Sequence, residues 1–431
     1  MERADSGCRA MTRGVLVPPM AMPQNGDRTS VMEDIGRTLV LVLMPFLVPS
    51  ILRYLFDVGS FTTGVVTACG VICVLAVIGI VRAPTASSLT TSFLISALLA
   101  VVIGSHAIIV SYFNDIDLVR AITSLVPLVT VILTTTVLRI NLFTLPDTSV
   151  DRIVWFSFAV FVVIGVNGLG GYQPASIVGG DKTVFPFTEP SHYALAMAPF
   201  IIYLAVRSKL VARYSVILIS LALALLLQNL SLLVCTLLGA LIRADRILVL
   251  LSIAGAPLAA NYIDLSYFTD RLDFSYGTTN LSTLVYLQGL ELAEGGLRTT
   301  NFLGIGYQQL GVVNLYSPTT NLIYRLLRDD LNLFDGGFTG AKLVAELGVF
   351  GLVLVATFVM LVGFSILKLR GKRGQAAPSA STTLALASVV AFSVEMFVRG
   401  AGYFTPTTLL LLGALPIAWA TCFRRSSGAK A

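Results

Sequence analysis

The chain has 431 residues, of which 56% are hydrophobic and only 12% are charged, and its mean hydropathy is +0.86. An ordinary soluble domain has about 25% charged residues, so this composition excludes a water-soluble globule. The net charge of +6 comes from short basic clusters between apolar segments, which argues against a nucleic-acid-binding protein and suits the positive-inside bias of a membrane protein.

The N-terminal segment, residues 1–34, lacks the hydrophobic stretch of a signal peptide, and we predict a flexible cytoplasmic tail. About twelve apolar runs follow, and each is predicted to cross the membrane as a helix, because a span needs about 20 mainly apolar residues. The four predicted spans between residues 192 and 260 are shorter than the others. The predicted spans are 35–56, 61–82, 89–113, 120–139, 153–170, 192–206, 213–227, 229–243, 246–260, 342–367, 382–398 and 405–423.

Lysine and arginine residues collect in every second connection between these spans. The turn from Arg207 to Arg213 and the turn from Lys368 to Arg373 are the clearest cases. Because basic loops stay on the cytoplasmic side of the membrane, the pattern predicts that both termini, including the tail 424–431, lie in the cytoplasm. An even number of spans follows from this topology.

Two longer loops then fall on the opposite, periplasmic side: residues 171–191 and residues 261–341. The second loop separates the first part of the bundle, 35–260, from the last part, 342–423. Long loops in compact proteins are often functional, and this one contains amphipathic stretches. We therefore predict an all-α polytopic membrane helix bundle with short helices in the longer loop, lying on or dipping into the membrane surface.

The segment FTEPSHYALAMAP, residues 187–199, brings a carboxylate, a hydroxyl and an imidazole to the start of a span: Glu189, Ser191 and His192. Pro190 suits the first turn of a helix, and the helix dipole favours an acid in front of it, so one interpretation of Glu189 is a helix cap. The other interpretation is a site at the membrane boundary, with Glu189 and His192 as catalytic residues and Ser191 as a substrate contact.

Four arginines of the longer loop are candidate ligands for a diphosphate group: Arg271, Arg298, Arg325 and Arg328. The planar guanidinium group matches phosphate oxygens through paired hydrogen bonds and stays charged at any relevant pH. For each of them, a solvated side chain paired with a nearby acid is an equally good interpretation. Arg298 stands apart because it immediately precedes a glycine turn.

That turn is RTTNFLGIGYQQLG, residues 298–311. Glycines such as Gly304 and Gly306 permit positive φ and close approach of the backbone, so their N–H groups are candidates to meet an anion. We assign Gly304, Gly306 and Tyr307 to substrate binding. The competing interpretation is an ordinary surface turn.

Ionisable residues also occur within predicted spans, where they are costly and normally face a cavity or a partner. Glu346 lies near the start of the tenth span. Glu395 and Arg399 lie four residues apart near the outer end of the eleventh, so we expect a salt bridge between them; Arg399 is also a candidate phosphate ligand. The sequence contains no Walker A loop and no Cys/His cluster, which favours chemistry without a metal or another cofactor.

Three segments, in this order, resemble the Wzy-type O-antigen polymerases of the O-antigen ligase and polymerase group. They are FTEPSHYALA before a span, NLSTLVYLQGLELAEGGLRTTNFLGIGYQQLG in the longer loop, and AKLVAELGVFGL at the start of the next span. The resemblance covers roughly residues 150–365. It implies a GT-C-like glycosyltransferase of the bacterial inner membrane that acts at the periplasmic face in lipopolysaccharide or other polysaccharide biosynthesis.

The resemblance also implies the substrate, an undecaprenyl-diphosphate-linked oligosaccharide. The growing chain would leave its lipid diphosphate and join the non-reducing end of an incoming repeat unit. Glu189 or His192 would then act as base on the acceptor side, and Arg298, Arg271 and, as a further candidate, Arg399 would neutralise the diphosphate. A chain-length regulator protein is a further candidate partner, in addition to the lipid bilayer.

Two alternatives remain open. A ligase would transfer finished polymer to lipid A core, but ligases usually carry a histidine shortly before the ELG span, and the matching stretch DGGFTGAKLVAELG has none. A flippase or secondary transporter would suit many spans with buried charges. A transporter places its substrate groups near the middle of the membrane, whereas the polar residues here gather in the external loops.

Overall fold

The protein is all-α throughout the part of the chain that the structure describes, as the sequence predicts. The structure, a computed structural model, describes residues 28–56, 61–171, 183–243, 266–275, 277–329, 331–371 and 378–423. Within these ranges the only strand-like contacts are two isolated β-bridges, which join Val184 to Phe187 and Leu310 to Val313.

The helices fall into two groups, before and after the start of the longer loop. The first group is α1 (Arg28–Phe56), α2 (Phe61–Val77), α3 (Ala86–Ser111), α4 (Leu118–Thr123), α5 (Leu125–Leu142), α6 (Asp147–Leu169), α7 (Pro190–Arg207), α8 (Leu210–Leu226) and α9 (Leu230–Arg243). The second group is α10 (Ser266–Arg271), α11 (Leu281–Thr299), α12 (Pro318–Leu327), α13 (Thr339–Leu347), α14 (Val349–Arg370), α15 (Ala380–Phe397) and α16 (Pro406–Phe423). The longer loop therefore contains helices, although α11 has 19 residues and is longer than expected.

Among the described residues, seven helical segments are long and apolar enough to cross a membrane. They are Gly36–Phe56, Ala86–Ser111, Leu118–Leu142, Asp147–Leu169, Val349–Arg370, Ala380–Phe397 and Pro406–Phe423. The shorter apolar helices α2, α8 and α9 accompany them. The chain is therefore a multi-pass membrane protein. The total of about twelve spans stays a prediction, and its ninth span, 246–260, lies outside the described residues.

Helix α7 lies at the centre of the bundle. Every residue from His192 to Val206 is buried, and the helix packs against α6, α8, α9 and α15. A helix that is apolar on all sides has to be surrounded by other elements. Phe200 of α7 stacks on Phe161 with the ring centroids 5.7 Å apart, and Phe46 of α1 meets both rings edge-on. This packing fixes the position of the residues at the N-terminus of α7.

The predicted tenth span, 342–367, is wrong at its start because the helix breaks at Gly348. Gly348 has φ 57° and ψ −128°, a backbone conformation that residues other than glycine rarely adopt. The break brings the glycine turn against the helix, since the N–H of Val349 donates to the carbonyl of Phe302 at 2.8 Å. The membrane span proper is α14, and the preceding turns form the separate helix α13.

Glu346 therefore belongs to α13 and not to a membrane span. It is fully buried, and its carboxylate accepts hydrogen bonds from the N–H groups of Gln308 at 2.8 Å and Leu310 at 3.3 Å and from the hydroxyl of Tyr403 at 2.8 Å. Burial raises the pKa of Glu346, and its hydrogen bonds and the nearby Lys342 oppose that effect. This carboxylate ties the glycine turn to α13.

The predicted basic side of the protein forms one end of the bundle. Arg207, at the C-terminus of α7, donates to Asp151 at 2.8 Å and to Asp147 at 2.7 Å, both near the start of α6. Arg370, at the end of α14, donates to the carbonyl of Ile242 near the end of α9 at 3.2 Å. Because an 18-residue helix is about 27 Å long, the N-terminus of α7 lies at the opposite end.

Candidate functional site

The site is centred on an ion pair between Glu189, just before α7, and Arg399, just after α15. Arg399 Nη2 donates to Glu189 Oε2 at 2.9 Å, and Ser191 Oγ donates to the same oxygen at 3.1 Å. Glu189 has an extended backbone with φ −125°, and its side chain makes no capping hydrogen bond to the helix. Glu189 therefore occupies the N-cap position of α7, where the helix dipole favours its charge, but its carboxylate is directed to Arg399 and Ser191 and not to the helix N–H groups.

The acidity of Glu189 follows from these contacts. Burial alone would raise its pKa, but His192 and Arg399, together with the hydrogen bonds from Arg399 and Ser191, hold the pKa well below its usual range. The carboxylate is therefore negative at any physiological pH. A carboxylate whose pKa is lowered in this way is a weak base for as long as Arg399 stays paired with it.

The predicted salt bridge between Glu395 and Arg399 is not formed. Helix α15 ends before Arg399, whose N–H donates to the carbonyl of Val394 at 3.0 Å, so the side chain of Arg399 leaves the helical register and turns to Glu189. Glu395 is fully buried and instead accepts a hydrogen bond from Thr405 Oγ1 at 2.7 Å and another from Thr407. The prediction from the i,i+4 spacing was wrong because such a pair forms only where the helix continues through both residues.

A cavity of about 390 Å³, which we call the cationic cavity, opens on one side of the ion pair. Four positively charged side chains face two carboxylates in its lining, so two positive charges are in excess. The cations come from four distant parts of the chain, the ends of α1 and α15 and the helices α4 and α13. The charged residues of its lining are Arg53, Arg120, Lys342, Arg399, Glu189 and Asp335, with His192, Gln308 and Asn332 among the others.

Lys342 is the most enclosed of these cations. Its side chain is 3% exposed and lies 3.8 Å from Asp335. The ammonium donates to the carbonyl of Phe334 at 2.6 Å and to Gln308 Oε1 at 3.4 Å, and it sits 5.0 Å from the centre of the Tyr403 ring. These contacts hold a positive charge in a fixed position at the wall of the cavity.

Three of these cations, Arg53, Arg120 and Lys342, were not predicted from the sequence. Arg53 lies near the end of α1, and Arg120 lies in α4 at the start of the fourth predicted span, 120–139; both are at the end of the bundle opposite the basic end. Basic residues at this end of the bundle are exceptions to the positive-inside pattern, and Arg53 and Arg120 could have been predicted as functional residues on that ground. Lys342 could have been noticed as a cation inside a predicted apolar span.

A second cavity of about 460 Å³ lies on the other side of the ion pair and shares Glu189 and Arg399 with the first. We call it the aromatic cavity because Tyr267, Phe274, Tyr286 and Phe397 contribute to its lining. The remaining lining includes Ser191, Asn229, Ser231, Arg271 and Ser282. The structure thus brings Glu189, Ser191, Arg271 and Arg399 together, and described residues of the two longer loops meet there.

Three predicted arginines lie elsewhere. The side chain of Arg298 is 78% exposed and pairs with Glu294, one turn earlier on α11, at 2.5 Å. Arg325 is exposed on α12, and Arg328 is exposed at the end of that helix. None of the three belongs to the lining of the cationic or the aromatic cavity, so the structure does not bring any of them to Glu189.

The glycine turn also differs from the expected anion-binding loop. Gly304 N–H donates to Thr300 Oγ1 at 2.7 Å, and Gly306 N–H donates to the carbonyl of Glu346 at 2.9 Å. These donors are used within the protein, so the interpretation that they meet an anion is wrong for this arrangement. Tyr307 is buried and stacks on Tyr403 with the centroids 5.5 Å apart, where it helps to pack the turn.

Asp115 and Asp117 form a D-x-D triplet, a spacing found in some metal sites, between α3 and α4. In the structure a carboxylate oxygen of Asp117 accepts the N–H of Arg120 at 2.9 Å and caps α4. No three His, Cys, Asp or Glu side chains come together as metal ligands within the described residues. Asp117 therefore acts as the N-cap of α4, the helix that carries Arg120.

The helices and the two joined cavities define a class, a multi-pass all-helical membrane protein with a charged site at one end of its bundle. Comparisons with protein-family models, with curated proteins and with solved structures give no match.

Proposed function

We propose that this protein is a membrane glycosyltransferase of the O-antigen polymerase type, which joins saccharides carried on a lipid diphosphate. The observation that carries the proposal is the cationic cavity beside a second cavity, with Glu189 and Arg399 in the wall between them. The resemblance of three sequence segments to the Wzy-type polymerases supports the same activity. The proposed location is a bacterial inner membrane, with the site on the periplasmic side and the basic end in the cytoplasm.

The cationic cavity suits a diphosphate in charge and in chemistry. Arg53, Arg120 and Arg399 each offer a planar fork of N–H donors for paired phosphate oxygens, and Lys342 adds a fixed positive charge. When a diphosphate leaves the anomeric carbon of a sugar, negative charge grows on its bridging oxygen. Cations that are already in place stabilise that charge without further rearrangement.

The reaction then divides between the two cavities. An acceptor hydroxyl oxygen forms a bond to the anomeric carbon of the donor sugar, and the bond from that carbon to the diphosphate oxygen breaks with its electron pair. The acceptor proton passes to a base, for which Glu189 and His192 are the candidates at the boundary of the cationic cavity. The released lipid diphosphate stays paired with the cations.

Arg399 links the two halves of the reaction. A bound diphosphate competes with Glu189 for the guanidinium group, which now donates to Glu189 Oε2 at 2.9 Å. Once Arg399 turns to the diphosphate, Glu189 loses one of the groups that lower its pKa, and the pKa rises from its low value. Donor binding thus converts Glu189 from a weak base into a stronger one.

The proposal is tested with purified protein in detergent and lipid-linked repeat units, in the absence of any nucleotide or ion gradient. We expect products that carry two or more repeats on one lipid, separated as a ladder on a gel. A ligase would give no ladder under these conditions, because lipid A core is the acceptor that it needs. A transporter would leave every repeat unit unchanged, and this result would overturn the proposal.

A further inference from the structure

We infer that the aromatic cavity is a carbohydrate-binding site that holds the acceptor saccharide with a hydroxyl group directed at Glu189. The assignment of this saccharide as acceptor rests on the proposed glycosyl transfer; the binding of carbohydrate does not. The cavity, about 460 Å³ in volume, is large enough for one or two sugar rings. It lies between α10 and α11 of the longer loop on one side and the N-terminal ends of α7 and α9 on the other.

The aromatic side chains provide flat surfaces for sugar rings. Tyr286 is backed by Phe338, with the ring centroids 4.9 Å apart and the planes at 21°, and Phe274 approaches Tyr286 edge-on at 5.9 Å. Tyr267 lies under the guanidinium group of Arg271 at 4.2 Å. The face of an aromatic ring carries partial negative charge and attracts the C–H groups of a pyranose ring. Rings held by their neighbours in this way lose little freedom when a sugar binds.

The polar lining supplies the hydrogen-bonding groups that sugars need. Ser191, Ser231 and Ser282 contribute hydroxyl groups, each of which both donates and accepts, as sugar hydroxyls do. Asn229 fixes the geometry of this wall, since its Nδ2 donates to the carbonyl of Pro190 at 2.6 Å. Aromatic surfaces beside a few oriented polar groups are the usual composition of a small-molecule site.

An isoprenoid tail is the competing occupant, and the lining disfavours it. A hydrocarbon tail offers no hydrogen bond to Glu189, Arg271 or the serine hydroxyls, and covering such groups without a partner costs free energy. The hydroxyl groups of a saccharide can form hydrogen bonds with all of these groups. With its sugar ring on Tyr286 and a hydroxyl at Glu189, the acceptor faces the anomeric carbon of a donor whose diphosphate occupies the cationic cavity.

The test uses a saccharide that can act only as acceptor: one repeat unit on an octyl group, without diphosphate. For Tyr286→Leu and Phe274→Leu we expect the KM for this acceptor to rise about tenfold, while the KM for the lipid-linked donor stays within about twofold. Phe274 is 52% exposed, so its replacement leaves the fold intact. Tyr316→Leu is the matched control, because Tyr316 is 79% exposed and outside both cavities. An unchanged acceptor KM in both variants overturns the inference.

A second measurement separates this inference from the proposed function. The saccharide released by mild acid from the lipid-linked glycans of the source cells is added to the purified protein, and binding is followed by saturation-transfer NMR. Binding that Tyr286→Leu abolishes, with no glycosyl transfer in any assay, supports the carbohydrate site while the proposed function fails. No saccharide binding to an active wild-type protein overturns the inference alone. If the two leucine variants instead change how the rate of glycosyl transfer depends on the length of the donor's isoprenoid tail, the tail occupies this cavity. That result also overturns the inference.

Discussion

The double variant Arg53→Gln, Arg120→Gln is expected to form glycosidic bonds at less than about 1% of the wild-type rate. Both guanidinium groups line the cationic cavity, and each donor removed from a developing anion costs roughly tenfold or more in rate. Glutamine keeps a polar side chain of intermediate length but removes the positive charge and the planar fork of N–H donors. The measurement is the initial rate of chain extension by purified protein, normalised to the amount that elutes as a single species.

Arg328→Gln is the matched control for this charge removal. Arg328 is exposed at the end of α12 and is not in the lining of either cavity, so its replacement lowers the net charge of the longer loop without changing the lining of the site. We expect its rate to stay within about twofold of wild type. If the double variant extends chains as fast as Arg328→Gln does, the cationic cavity does not hold the diphosphate.

The variant Gly348→Ala is expected to reduce strongly the amount of folded protein that accumulates in the membrane. A Cβ at Gly348 would overlap the carbonyl oxygen of Phe302 and lie 2.5 Å from the N atom of Gly304. Both are backbone atoms held in the glycine turn, so they cannot move aside as a side chain can. Together with the unfavourable φ, this overlap destabilises the fold by at least about 3 kcal/mol. The yield of monodisperse protein after mild detergent extraction, and its melting temperature, report the effect.

Gly363→Ala provides the comparison for that variant. Gly363 lies within α14, and a Cβ there meets no atom within 4 Å. Because alanine favours a helix by up to about 1 kcal/mol over glycine, this variant is expected to accumulate at least as well as wild type. Equal yields and equal melting temperatures for the two alanine variants would show that the helix break at Gly348 is not required.

Much of the architecture could be predicted from the sequence because it depends on local patterns. Apolar runs identified the helices that are long enough to span a membrane, and the basic turns identified one end of the bundle, where Arg207 and Arg370 make their contacts. The segment around Glu189 was found because a carboxylate, a hydroxyl and an imidazole next to a proline are unusual at the start of a span. Arg399 was found because arginine suits phosphate chemistry. The same reasoning placed Arg271 at the diphosphate, whereas that residue lines the aromatic cavity, over the ring of Tyr267.

The lining of the cationic cavity and the helix break at Gly348 could not be predicted. Both depend on contacts between distant parts of the chain, which the spacing of residues along the sequence does not reveal. Arg53 and Lys342 are 289 positions apart in the numbering and share one cavity. The choice of Arg298 followed from its place beside the glycine turn, but α11 directs that side chain to Glu294 and solvent. The helix break at Gly348 was hidden within an apolar run, since its cause is the glycine turn packed against it.

The most direct test of the central claim is photo-crosslinking with a polyprenyl diphosphate analogue that carries its reactive group beside the diphosphate. The modified peptides are identified by mass spectrometry after irradiation of the purified protein. We predict labelling around the cationic cavity, at residues such as Thr62, Gln308 and Asn332, and suppression of that labelling by excess inorganic pyrophosphate. Labelling at the opposite end of the bundle, near Arg207 and Arg370, with the cationic cavity unmodified, would contradict the account.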